Sequence, residues 1–201
     1  GNRAYTEDWV EYFQDMFEKQ PGSKVTRIPF DIRTNTLYND LATMAIGANP
    51  DGILLLANAV DTAMVCQQLT KLDAEPALYA TGWSYSDDLI QFGGKSVEGL
   101  TIIQSADPKD PAPSMQSFVK RYNQRYRATP NFPAVHAYDA TRLILTIMRQ
   151  ETGPEAIRNH LLNMGSFSGL QSDLSVDRFG ELKHPRLHFA RIANGEFVSA
   201  E

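Results

Sequence analysis

Apolar and polar positions follow one rhythm up to about residue 113 and a different one beyond it. Trp9, Val10, Phe13, Met16 and Phe17 recur at helical spacing after Thr6, a residue type that caps helices, and Pro21-Gly22 ends the run. Lys24–Phe30 is rich in β-formers and predicts a short strand. A helix is expected over Leu37–Ala48, closed by Asn49-Pro50. Gly52–Ala57 is an unbroken apolar run, the pattern of a strand covered on both faces. Helix Val60–Leu72, strand Ala77–Ala80, helix Tyr85–Phe92 and strand Gly99–Gln104 follow, with Gly93-Gly94 breaking the last helix. Strands alternating with helices over short connections predict right-handed crossovers and a mainly parallel sheet flanked by helices, an α/β fold.

After Asp107–Pro113 three helices are expected in succession: Ser114–Arg127, Pro133–Gln150 and Pro154–Met164. Phe118, Tyr122 and Tyr126, four apart, form a stripe on one face of the first, and Pro130 and Pro133 stop it. Such helices need a sheet to cover, and this segment offers none of its own. Beyond Gly165 the pattern becomes β-like, with Ser172–Asp177 and Arg186–Ala193. Asn194-Gly195 then predicts a two-residue hairpin turn, whose two positions both require positive φ, with Phe197 and Val198 on the returning strand.

Composition narrows the function. Apolar residues make up 42% and charged residues 21%, ordinary for a globular protein. The formal net charge is −5 and no basic stripe exists, so no nucleic-acid partner is expected. Lys120–Arg127, the densest basic stretch, reads as the solvated face of a helix. No apolar run approaches the roughly 18 residues that cross a bilayer. Gly1-Asn2-Arg3 is not a signal peptide, so any export signal is expected to be removed or to lie outside this sequence. The single cysteine, Cys66, sits among Met64, Val65 and Leu69 and reads as a buried structural thiol.

No cofactor or metal is expected. Gly94-Lys95-Ser96 echoes the end of a phosphate-binding loop, but Leu89 stands where that motif needs glycine, and a strand follows instead of preceding it. His184 and His188 are four apart, yet Pro185 argues against the helix that would aim both at a zinc ion. Acidic residues are scattered, so no acid–base pair can be named. Ligands of open parallel sheets sit outside the carboxyl ends of the strands. That rule selects the loops Asn58–Asp61, Thr81–Tyr85 and Ser105–Asp107, the first two leading into helices whose N-termini favour an anionic group. Asn58 can donate and accept toward a ligand or simply cap its helix, a task for which Asp61 competes. Trp83, beside Ser84, can stack on an aromatic ligand or attract a cation. His136 and Tyr138 fall in the second of the three later helices, where packing in the helix core competes with ligand contact.

Several short motifs occur in one order along the chain: Asn49-Pro50-Asp51-Gly52 before an apolar strand, Gly94 to Glu98-Gly99, and Phe132 through Tyr138-Asp139-Ala140. Ser168-Gly169, then Val176-Asp177-Arg178-Phe179-Gly180, and finally Asn194-Gly195-Glu196-Phe197 complete the series. In that order and spacing the chain resembles the type I periplasmic solute-binding proteins of branched-chain amino acid transporters. Ala4-Tyr5 resembles the family's opening motif, with Thr6 in place of its glycine. The resemblance implies two α/β lobes joined by three crossings, with a small molecule enclosed between them. On that plan residues 1–106 and 186–201 form the second lobe. Residues 107–185 are the helical remainder of a mostly absent first lobe, with the hinge crossings.

The sheet of that first lobe, and the strand expected just before Tyr5, would precede Gly1, so about 120–150 residues would be missing. A self-sufficient small domain is the competing reading, and three helices without a sheet count against it.

The resemblance also implies a role. The protein would be the periplasmic or extracellular receptor of an ABC transporter, with or without a lipid anchor, and its partners would be a small ligand and a membrane permease. Tyr5 matches a position where the family sets a tyrosine against the ligand, and Asn58 matches another pocket position. Trp83 lies near the place where amino acid binders carry an acid for the ligand's ammonium, which admits aromatic or aliphatic carboxylates beside amino acids. The expected ligand-binding set is Tyr5, Asn58, Asp61, Trp83, Ser84 and Tyr138. A ligand-sensing domain of a receptor or regulator shares this fold and is the alternative; an enzyme would need a nucleophile–base pair that the sequence does not display.

Overall fold

The computed structural model describes residues 3–31, 37–183 and 185–200, with side chains from Thr6 onward. The chain divides into two compact units. One comprises the chain to Ile102 together with Ala190–Val198; the other runs Ile103–Phe189 and resumes at Ser199.

In the first unit, α1 spans Arg3–Phe17, so Thr6 lies inside that helix and not at its N-cap. Helix α2 (Tyr38–Gly47) precedes strand β1 (Gly52–Leu55), α3 (Ala59–Lys71), β2 (Ala77–Thr81), α4 (Asp87–Gly93) and β3 (Thr101–Gln104). Strands β6 (His188–Ala193) and β7 (Glu196–Ala200) complete one sheet of order β1-β2-β3-β6-β7. β1 and β2 are parallel, Gly52 opposite Ala77 and Leu55 opposite Ala80. Gly99 N–H donates to the Ile192 carbonyl while Ile192 N–H donates to that of Leu100, so two residues face one. Gly99 takes the positive φ, +81°, that this bulge needs. The β6–β7 turn forms as expected, with Asn194 at φ 54° and Gly195 at 72°. Both turn N–H groups donate to the Glu98 carboxylate.

Leu41 of α2, Ala63, Cys66 and Leu69 of α3, and Leu89 of α4 meet Leu55, Ala80, Ile102, Ile192 and Phe197 of the sheet in one buried core. Burial pushes the Cys66 thiol up to about 12, which keeps it an unreactive packing group. The strand expected at Lys24–Phe30 is a correction: the segment forms no ladder, although Ile28 and Phe30 pack against this core.

The second unit contains α5 (Pro113–Tyr126), α6 (Phe132–Met148) and α7 (Pro154–Asn163) in succession, as the sequence predicts. Asn131 caps α6 by accepting from Ala134 N–H, and Arg127 ends α5 in the left-handed region. Met115, Phe118, Val135 and Leu170 form its core. A two-stranded antiparallel ladder follows, β4 (Phe167–Ser168) with β5 (Asp173–Leu174). Ile144, Leu145 and Met148 of α6 are exposed, an apolar face without cover among the described residues.

Candidate ligand-binding site

Two of the three predicted loops are built into one frame at the carboxyl ends of β1 and β2. Asn58 is extended and caps α3, its Oδ1 accepting from Asp61 N–H at 2.9 Å. Its Nδ2 donates back to Asp61 Oδ2 at 2.8 Å, and Asp61 Oδ1 accepts from the Tyr38 hydroxyl at 2.6 Å. Asp61 is buried, so its charge is balanced by two donors and the dipole of α3. The bond from Tyr38, the first residue of α2, fastens α2 to α3.

Burial and the Asp61 carboxylate push the Tyr38 hydroxyl up to about 12. Folded protein therefore keeps this proton where unfolded chain loses it. The stabilisation is complete below pH 10 and is lost as pH rises through 12. In a phenolate-absorbance titration, one of the eight tyrosines should titrate last, near 12, and Tyr38→Phe should remove that step. A late step that persists in the variant would refute the assignment.

In the second loop, Gly82–Ser84 form a single 3-10 turn directly after β2. Ser84 is fully buried; its hydroxyl donates to the Ala57 carbonyl and accepts from Thr62, both at 2.9 Å. Ser84 thus ties β2's loop to β1's. Asn58, Val60 and Trp83 are exposed on this rim, Trp83 at 45%. The side chain of Tyr5 lies outside the described residues, as does His184.

Tyr138 belongs to the other unit. Its ring packs on Phe118 at 4.6 Å, its hydroxyl accepts from Arg121 at 2.9 Å, and Arg121 and Arg142 lie over the ring. These contacts are those of a packed helix residue.

The structure adds a pair that sequence reading missed. Ser105, after β3, hydrogen-bonds His136 Nε2 at 2.8 Å across 31 positions, a separation that no local motif can signal. Burial lowers the His136 pKa, so the imidazole is neutral near pH 7, and its tautomer decides which of the two groups donates. Nucleophilic catalysis also needs an acid on the far imidazole nitrogen and an oxyanion site. The nearby Asp139 has other work: Oδ2 accepts from Leu170 N–H at 3.1 Å, and Oδ1 pairs with Arg142 at 3.8 Å. Among the described residues, no group of three or more His, Cys, Asp or Glu could hold a metal ion. A hollow of about 630 Å³ in the first unit lies at the amino ends of β2 and β3, beside Ala77, Tyr79 and Thr101. It contains none of the expected site residues and sits at the wrong end of the strands for this fold.

A rim at the carboxyl ends of β1 and β2, with α3 capped by Asn58 behind it, stands where folds of this kind take their ligands. A sequence model of the periplasmic binding protein family matches residues 2–196, and the chain belongs to that family. A leucine-binding protein (LivK) of Thermotoga maritima superimposes with TM-score 0.81 at 20% identity, over 98% of this chain and 55% of that one. An extracellular ligand-binding receptor of Rhodopseudomonas palustris gives 0.85 at 22%, over 100% and 61%. An ABC transporter substrate-binding protein of Desulfitobacterium hafniense, in complex with Leu, gives 0.76 at 20%, over 99% and 58%. The chain thus spans between 55% and 61% of these relatives' length. No curated protein matches it. No described helix is long and apolar enough to cross a membrane.

Proposed function

We propose that this chain is the second lobe, with the helical part of the first, of a solute receptor for an ABC transporter, acting outside the cytoplasm. The observation that carries the reading is the family match over residues 2–196. The bare apolar face of α6, Ile144, Leu145 and Met148, supports the two-lobe plan, since a first-lobe sheet would cover it. The ligand is a small amino acid or an aromatic or aliphatic carboxylate, and it closes the lobes by contacting both. A permease recognises the closed form.

Within this lobe Asn58 and Trp83 face the ligand, with Tyr5 a further contact, while Asp61, Ser84, Thr62 and Tyr38 hold the rim in place. A thermal-shift screen of the full-length protein against aliphatic and aromatic amino acids and their amine-free counterparts tests this, because a ligand of the native state raises the midpoint by mass action. Trp83→Ala should weaken the best ligand by roughly 10- to 100-fold. A flat screen would remove the receptor reading, and an unchanged Kd in the variant would remove Trp83 from the site.

A further inference from the structure

The polypeptide passes between the two units three times, at Ile102/Ile103, Phe189/Ala190 and Val198/Ser199. On the second unit's side, one polar network reaches all three passages. Gln171 is its centre. Its Oε1 accepts from Asp107 N–H at 3.2 Å, and its Nε2 lies 3.3 Å from Asp110 Oδ2, 3.4 Å from the Asp107 carbonyl and 3.1 Å from His188 Nε2. Asp107 and Asp110 follow the first passage and His188 precedes the second. Ser199, at the third, donates to Asp107 Oδ2 at 3.4 Å. Asp110 is buried and also pairs with Arg186 at 3.2 Å.

We propose that Gln171 is a clamp that makes the three passages move as one body, and that it holds only while His188 is neutral. The proposal rests on the two-lobe reading for its use and on this network for its existence. The chemistry is one of donor and acceptor matching. A backbone N–H always donates, so Asp107 fixes the amide with Oε1 toward it and Nε2 toward His188. His188 Nε2 must then be the bare acceptor of the imidazole. Protonation puts an N–H there and sets donor against donor. Turning the amide over would only move the conflict to Asp107.

Charges around this imidazole come from every neighbouring segment: Arg186 on its own strand's approach, and Asp107 and Asp110 after β3. His136 and Asp139 of α6, Asp173 of β5 and Lys183 line a second hollow, within the second unit, together with Arg186 and His188. Burial first, then Arg186, lowers the His188 pKa, while the two aspartates oppose the shift. The clamp is therefore intact near pH 7 and above. It is lost as pH falls from the ordinary imidazole value through the lowered one, the window in which unfolded chain binds the proton first.

Hydrogen–deuterium exchange on the full-length protein without ligand, corrected for the intrinsic pH dependence of exchange, is the test. Gln171→Leu should raise exchange at pH 7.5 by roughly tenfold, the worth of one net hydrogen bond, around 105–110, 186–189 and 199–200 together. Wild-type protein should lose the same protection in acid, and His188→Gln, whose amide oxygen can accept at any pH, should keep it. Loosening confined to 170–172 in the Leu variant would overturn the clamp. Equal acid loss in wild type and His188→Gln would overturn the dependence on His188. The wild-type acid comparison stands even where the Leu variant folds poorly. Neither readout needs a ligand, so a failed receptor reading and a failed clamp are told apart.

Discussion

Gly93→Ala should destabilise the first unit by about 2–3 kcal/mol, although alanine is the better helix former by about 1 kcal/mol. Gly93 ends α4 with helical φ and ψ of −81° and −34°, so the backbone tolerates any residue. Space is the constraint. A Cβ built there falls 2.4 and 2.8 Å from the two methyls of Val97, which is fully buried and cannot swing away. Val97→Ala alone should also cost about 2 kcal/mol, from two lost methyls and the cavity they leave. The double variant should be more stable than the sum of the two losses implies by about 1–3 kcal/mol, because the new methyl enters the vacated space. Urea denaturation of the four proteins measures this. Additivity within about 0.5 kcal/mol would mean that the contact is relieved by movement of α4 and not by Val97.

The pair also shows what the sequence could and could not disclose. Gly93-Gly94 reads as a helix stop, and α4 does end there, but only Gly94, at φ 52°, needs glycine for its backbone. The reason for Gly93 is a side chain four residues on, a tertiary fact. Elements defined by their own periodicity were legible to within a few residues. Leu37–Ala48 appears as Tyr38–Gly47, and the positive φ values expected at Asn194 and Gly195 are present. Elements defined by a partner were not. Lys24–Phe30 has the composition of a strand, yet a strand exists only where a neighbour completes the ladder. Among the described residues no strand ladders with this segment, and β1 stands at the edge of the sheet. β4 escaped notice for the opposite reason, since two residues are too few to display alternation.

The candidate site divides along the same line. Its location came from a rule about strand ends, and the loops at Asn58 and Trp83 do stand at the ends of β1 and β2. Which residues face outward did not follow from residue type. Asp61 and Ser84 are as polar as any ligand contact, and both are turned into the frame by Tyr38, Asn58, Thr62 and the Ala57 carbonyl. Tyr38 lies 23 positions before Asp61, so nothing local announces the bond.

Asp61→Ala should therefore act on the fold more than on affinity. It leaves the Tyr38 hydroxyl and Asn58 Nδ2 without their acceptor beside a buried position, and bonds to a carboxylate are worth about 1.5–3 kcal/mol each before non-additivity. We expect a loss of about 2–4 kcal/mol, with the late tyrosine step near 12 moving down toward the ordinary range. Asp61→Asn separates the two roles. Its Oδ1 still accepts from Tyr38, while its Nδ2 meets the donating Nδ2 of Asn58, so stability should fall by only about 1–2 kcal/mol. Both carboxylate oxygens are already committed within the frame, and the Kd for whichever compound the thermal-shift screen selects should change less than about threefold, under 1 kcal/mol. A ligand carrying an ammonium that bound Asp61 directly would behave otherwise, because a neutral amide loses the charge pair. A hundredfold rise in Kd for an amine, with an unchanged Kd for its amine-free analogue, would return Asp61 to the ligand and leave Tyr38 as the residue that orients it.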